Sequence, residues 1–282
     1  MARWTLEDIP WDRFDRAKVD PDLLCLIKAA ALVEYNGGDY AAYLNRVFAG
    51  DRAFQTAADL WATEEVQHGE ALARWAGMAD PDFDFQAAFD EFKAGFQLPR
   101  EAEASVRGSR AGELIARCIV EVGTNSYYTA LSEAAEEPVI KEICRLIADD
   151  EAHHYKLFLG HLKRYQAHEN LPAWTRFRVA AGRIAETDDD ELAYAYYASN
   201  KPGPSYDRRL ASREYARRAY PLYSARHVAR GMDMIFRAIG LTPGRTSRVL
   251  GRLAHRFMQW RAAGFARQGE PAHAVPRLSL NG

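Results

Sequence analysis

Two Glu-x-x-His motifs, Glu65-Val-Gln-His68 and Glu151-Ala-His-His154, each follow an isolated glutamate, Glu34 and Glu121 respectively. On an α-helix, residues three apart share a face, so the glutamate and histidine of each motif point the same way. Four helices carrying these residues inward place four carboxylates and two imidazoles around a pair of metal ions. Hard carboxylate oxygens with one imidazole per metal select iron, with manganese open, over zinc or copper. The chemistry such a centre offers is reductive activation of O2, which yields an oxidant able to attack an unactivated C–H bond. The protein must then bring electrons, exclude water and orient the substrate.

The spacings support a shared site. Glu34 lies 31 residues before Glu65, and Glu121 lies 30 before Glu151. In an antiparallel hairpin that interval gives arms of about a dozen residues, near 20 Å each at 1.5 Å per residue. The 56 residues between Glu65 and Glu121 suit one crossover between two hairpins. In the simplest assignment Glu34, Glu65 and His68 serve one metal, Glu121, Glu151 and His154 serve the other, and some carboxylates bridge. A third match, Glu270-Pro-Ala-His273, is set aside because Pro271 breaks helical continuity.

Several neighbours have two readings each. Thr124, three residues after Glu121, either relays protons at the metals or bonds its own helix backbone. Trp61, four before Glu65, either carries electrons or packs in the core. Asp150 and Glu64 precede the ligand glutamates and are either acceptors for the histidine N–H groups or solvated acids. His153 competes with His154, and the repeat of the first motif favours His154. Tyr127 and Tyr128 read as packing aromatics rather than a radical site.

The elements that position these residues are helices throughout. Asp20-Pro21 starts one that runs through Glu34, and Asn36-Gly37-Gly38 loosens or bends it before Tyr40–Phe48. Gly50-Asp51 turns into a second helix carrying Glu65 and His68. Residues 80–102 form the crossover, with a short amphipathic stretch around Phe89, Phe92 and Phe96. A third helix is expected over about 103–135, and Pro138 opens a fourth to about 168. Breaks fall at Lys201-Pro-Gly-Pro and Leu241-Thr-Pro-Gly, with no strand-like alternation. The expected fold is all-α: an N-terminal arm over 1–19, a four-helix metal bundle with a crossover over 20–168, and a basic helical C-terminal extension over 169–282 packed on it.

At 282 residues and 48% hydrophobic, the chain can bury a large core. It has no apolar run long enough to span a membrane, and no secretory signal is expected at its start. Cys25, Cys118 and Cys144 are isolated, which fits a reducing cytoplasm and excludes a thiolate iron site. No glycine-rich nucleotide loop is present and no nucleic acid is expected. Charge divides unevenly, −12 over residues 1–170 and +10 over 171–282, so the net charge is −2. The densest basic cluster is Arg208, Arg209, Arg213, Arg217 and Arg218. It is either a docking surface for an acidic partner or is paired with acids such as Asp188, Asp189, Asp190 and Glu191.

The segments around the ligands resemble the soluble acyl-carrier-protein desaturases of the ferritin-like di-iron carboxylate superfamily. Trp61-Ala-Thr-Glu-Glu-Val-Gln-His-Gly-Glu-Ala-Leu is similar to that family's Trp-Thr-Ala-Glu-Glu-x-x-His-Gly-Asp-x-Leu, and Ile147-Ala-Asp-Asp-Glu-Ala-His-His to its Ile-Ala-x-Asp-Glu-x-x-His. Thr124 and Asp150 match a threonine and an aspartate of the family pattern, and the resemblance covers about residues 20–165. It implies a cytoplasmic homodimer with two iron ions. Such an enzyme uses O2 and electrons from a donor such as ferredoxin to desaturate a fatty acyl thioester on acyl carrier protein. Two other functions remain open: an iron-storage or ferroxidase protein, and a di-iron hydroxylase or N-oxygenase acting on a small molecule.

Overall fold

The computed structural model describes residues 3–186 and 190–267, so Asp188, Asp189 and the Glu270–His273 motif lie outside the described residues. Its elements are α-helices and short 3-10 turns, with no strand among the described residues. Asp20 caps α1 (Pro21–Tyr35), accepting from the N–H groups of Asp22 and Leu23, with Pro21 at the first helical position. After a break at Asn36 the chain continues as α2 (Gly37–Val47), so the expected bend is present. Gly50, at φ +88°, turns the chain, and Asp51 caps α3 (Arg52–Ala79) through the Phe54 N–H. The crossover carries α4 (Phe85–Gly95).

The third long helix, α5 (Arg110–Ala134), starts later than the expected 103. Residues 103–109 have no breaker before Gly108, but contacts distant in sequence hold them out of a helix. The Val106 N–H donates to Tyr43 Oη, and the Ser105 hydroxyl donates to buried Glu113. Gly108 then takes φ +81° and Ser109 caps the helix. Pro138 opens α6 (Pro138–Glu169), capped by Glu137, whose carboxylate also accepts from Trp75 Nε1 at 2.7 Å.

The helices α1 and α3 form one hairpin and α5 and α6 the other, and the two meet through α3 and α6. Two apolar cores fill the ends of this bundle. One holds Leu26, Ile27, Leu72, Trp75, Tyr128 and Ile143, and the other Phe48, Phe54, Trp61, Ile115, Cys118 and Phe158. The six predicted metal-ligating side chains are all buried in the same bundle. α1 is apolar on most of its circumference because its outer side is also covered. There α8 (Asp190–Asn200), α4 and α9 (Arg208–Ala219) build a third core around Leu32, Phe92 and Tyr196. The helices α7 (Ala173–Ala185) and α10 (Ala225–Ala238) pack on α5, and α11 (Arg245–Arg267) packs on α10.

Candidate metal centre

The arms of the first hairpin approach closely because glycines stand where α3 meets the α1–α2 corner. A Cβ at Gly37 would sit 2.6 Å from Glu65 Cβ, and one at Gly69 would sit 2.6 Å from the Tyr35 backbone nitrogen. Both contacts adjoin the ligand positions Glu34, Glu65 and His68. The Asn36-Gly37-Gly38 break therefore brings the α1–α2 corner against α3.

Ligand atoms from Glu34, Glu65, His68 and Glu151 lie within 4.8 Å of one another, as do those from Glu65, Glu121, Glu151 and His154. Glu65 and Glu151 belong to both groups. These two are the carboxylates placed to be shared in the three-plus-three assignment. Six atoms of this cluster are buried without a hydrogen-bond partner: Glu34 Oε2, Glu65 Oε1, His68 Nδ1, Glu121 Oε1, Glu151 Oε1 and His154 Nδ1. Leaving a single buried polar atom unpaired costs about 1–3 kcal/mol, so six converging on one point fit a pair of cations.

Both imidazoles present Nδ1 to the cluster and Nε2 to an outer acid. His68 Nε2 lies 3.0 Å from Asp150 Oδ2, and His154 Nε2 lies 2.8 Å from Glu64 Oε2. The exchange is reciprocal between hairpins, since Asp150 precedes Glu151 on α6 and Glu64 precedes Glu65 on α3. Each acid fixes its histidine as the Nε2–H tautomer and leaves Nδ1 free to bind a metal. Asp150 and Glu64 thus take the acceptor reading rather than the solvated one. His153 is exposed, with Nδ1 against the Asp149 carbonyl, and stays out of the cluster.

In the absence of a cation the carboxylates repel one another. Burial, together with Glu151 and Glu34, pushes Glu65 up to about 8, and burial with Glu151 and Glu65 raises Glu121 well above the glutamate range. Burial opposes charge on both imidazoles, but the hydrogen bonds to surrounding carboxylates outweigh it and hold both well above the usual histidine value. The pocket thus attracts positive charge, as protons or as metal.

Thr124 stands within reach both of the cluster and of its own helix backbone. Its hydroxyl lies 2.5 Å from Glu151 Oε2 and 3.3 Å from the Val120 and Glu121 carbonyls. One proton serves one acceptor at a time, and the charge-assisted contact to the carboxylate is the shorter. Trp61 packs edge-on to His154, with ring centroids 6.4 Å apart, and its buried indole N–H has no partner. The Arg117 guanidinium, itself buried one turn before Glu121, sits 5.6 Å from the Trp61 ring.

Sequence reasoning missed the residues that close the other side. Trp4, in the N-terminal arm, donates its indole N–H to Asp150 at 2.6 Å and stacks parallel to His68. Arg3 pairs with the second Asp150 oxygen at 2.6 Å. An aperiodic arm gave no signal for these contacts. Tyr128, read as packing, donates to Glu34 Oε1 at 2.6 Å. Its position seven residues after Glu121, on the same helix face, was a usable signal.

A helical bundle enclosing two carboxylate–histidine groups on facing hairpins has the form of the ferritin-like bundles that hold a pair of iron or manganese ions. The rubrerythrin family model, which describes such a bundle, matches residues 114–222. The matched stretch includes Glu121, Thr124, Asp150, Glu151 and His154, while Glu34, Glu65 and His68 fall outside it. No curated protein matches the chain.

Proposed function

We propose that this protein is an O2-dependent di-iron oxidoreductase whose substrate is a fatty acyl chain, carried as a thioester on acyl carrier protein and desaturated at the metal centre. The observation that carries the reading is the convergence of six unpaired ligand atoms with the Thr124 hydroxyl on Glu151. The motif resemblance around Trp61–Leu72 and Ile147–His154 supports the acyl substrate. In this reading Glu34 and His68 would hold one of two ions and Glu121 and His154 the other, with Glu65 and Glu151 within reach of both.

Bound iron supplies electron transfer to O2 and an oxidant for a C–H bond. The remaining work falls to side chains. Asp150 and Glu64 hold the imidazoles in the ligating tautomer. The Thr124 hydroxyl places an exchangeable proton at Glu151 Oε2. The hydrogen-bonded series Trp4–Asp150–His68 links the arm to the cluster and gives electrons a path. Tyr128 anchors Glu34, and the two apolar cores keep water away.

Most of the five-arginine cluster, a docking surface in one of its two readings, is engaged by the chain's own acids. Arg213, Arg217 and Arg218 all lie within 3.5 Å of the buried Glu214 carboxylate. Arg218 also pairs with Asp22, and Arg208 with Asp190. The internal-pairing alternative therefore describes it better, with Glu214 and Asp22 as unforeseen partners.

The alternative substrate class is a small molecule. A surface cleft of about 530 Å³ beside the ligand helix α3, lined by Leu6, Ala62 and Val66 as well as by Thr5, Glu7, Thr63, Gln67 and Glu70, would admit one of mixed polarity. The deciding experiment supplies the iron-loaded protein with O2, a reductant and acyl carrier protein bearing saturated chains, and follows the acyl groups by mass spectrometry. Loss of two hydrogens from the chain is expected. Reductant consumption with unchanged acyl chains would reject the acyl substrate in favour of the small-molecule reading.

A further inference from the structure

The outer face of α11 is unlike the rest of the surface. Its inner face is fixed on α10 and the preceding turn by residues about four apart. The Ser247 hydroxyl donates to Asp233 at 2.6 Å, a Cβ at Gly251 would lie 3.3 Å from Ala229 Cα, and Gln259 Nε2 donates to the Tyr220 and Tyr223 carbonyls. This seating turns Val249, Leu253, Phe257 and Trp260 outward, with Leu253 55% and Trp260 66% exposed. At 100° per residue these four fall within one narrow stripe. Arg245, Arg248, Arg252 and Arg256 lie beside it, exposed and without an ion pair among the described residues. From Arg245 to Arg267 the sequence contains no Asp or Glu.

The adjacent helix α7 repeats the composition. Trp174, 69% exposed, stacks on exposed Phe177, and Arg176, Arg178 and Arg183 accompany them with no acid between Ala173 and Ala185. Arg176 reaches the loop between α10 and α11, against Gly240.

We propose that α7 and α11 form a docking surface for an anionic lipid membrane, with α11 lying in the plane of the interface. A helix that shows Leu, Phe and Trp on one stripe and arginines along its edge inserts the apolar side into the headgroup–acyl boundary while the cations meet lipid phosphates. No described helix is long and apolar enough to cross the membrane, so contact is with its surface. Charge complementarity selects this occupant over a second copy. A two-fold contact sets the same patch against itself, and would press a surface of arginines without a single acid against its own copy. The surface is independent of the reaction catalysed.

The test is flotation of the full-length, metal-loaded protein with phosphatidylcholine vesicles, with and without phosphatidylglycerol. Binding is expected only with the anionic lipid and should weaken as salt is raised. Replacing Arg252→Gln and Arg256→Gln together is expected to weaken it about thirtyfold, ~2 kcal/mol. Phe257→Ser with Trp260→Ser should abolish it, with metal content and helicity unchanged. Trp174→Ser on α7 gives a second reading should the α11 variants fail to fold. Absence of binding to anionic vesicles at low salt overturns the proposal. So does sedimentation showing a dimer that Phe257→Ser dissociates, or an acidic carrier protein whose binding the arginine variants abolish while vesicle binding persists.

Discussion

Each imidazole carries one metal-facing nitrogen and one nitrogen held by an acid, so removing either ring should unmake one half of the site. His68→Ala and His154→Ala are each expected to lower metal content below two per chain and leave helicity largely intact, because the apolar faces around them stay buried. Unchanged stoichiometry in both variants would sink the ligand assignment. Thr124→Val keeps the volume and removes the proton at Glu151 Oε2. It should retain metal and fold while releasing peroxide in place of product, and wild-type coupling in that variant would leave Thr124 only a packing role. Trp4→Phe keeps the stack on His68 and deletes the 2.6 Å bond to Asp150. Slower reduction of the loaded centre by an external donor, at unchanged metal content, is expected; an unchanged rate would take Trp4 off the electron path. The convergence of the six candidate ligands was legible because each motif is local and repeats. Trp4 was not, because its partner lies 146 residues away and nothing in the arm's own pattern points to it.

At the scale of elements, the site depends on how closely α3 meets the α1–α2 corner. Gly37→Ala and Gly69→Ala push a methyl group to within about 2.6 Å of Glu65 Cβ and of the Tyr35 backbone. Overpacking of this kind costs about 1–3 kcal/mol, and here it should also lower metal occupancy, since relief requires moving helices that carry ligands. Gly77→Ala on the same helix meets nothing within 4 Å. It should stabilise by about 0.5–1 kcal/mol, because alanine loses less backbone freedom than glycine. Denaturant unfolding with metal analysis of the three variants separates the cases; equal effects at all three positions would show that the crossing is not tight. Helix starts were legible wherever a cap stood next to a proline or a turn glycine, as at Asp20, Asp51 and Pro138. The start of α5 was misread because residues 103–107 carry no local stop signal. Tyr43 decides that boundary through contacts to Val106 and Glu113, more than sixty residues away, with Ser105 bonded to the same glutamate.

Across the whole molecule, charge patterning was legible as a sum but not as a map. Within the densest arginine cluster of the basic half, Arg213, Arg217 and Arg218 turn to Glu214 and Asp22, while Arg208 and Arg209 stay exposed. Further exposed arginines stand on α10 and along α11. The acidic half conversely buries four carboxylates at one point, which couples folding to metal and to pH. Without metal, Glu65 is raised from the ordinary 4.5 to about 8, so between those values the folded chain holds a proton that the unfolded chain releases. Stability must then fall as pH rises through that window. The imidazoles act in the same direction, since their raised folded values stabilise most fully below the ordinary 6.5 and less as pH climbs. One such proton is worth about 1.4 kcal/mol per pH unit, a few degrees of melting temperature for a chain of this size. The metal-free protein should therefore melt progressively lower between about pH 5 and pH 8. The metal-loaded protein should show the reverse trend, because metals displace these protons and bind more tightly as pH rises. Free metal at about a hundred times its dissociation constant adds ~2.7 kcal/mol per site. Glu65→Gln should flatten the metal-free slope and abolish the metal-dependent gain. Melting curves of the metal-free protein that do not move across that pH range would mean that Glu34, Glu65, Glu121 and Glu151 do not crowd one another in solution.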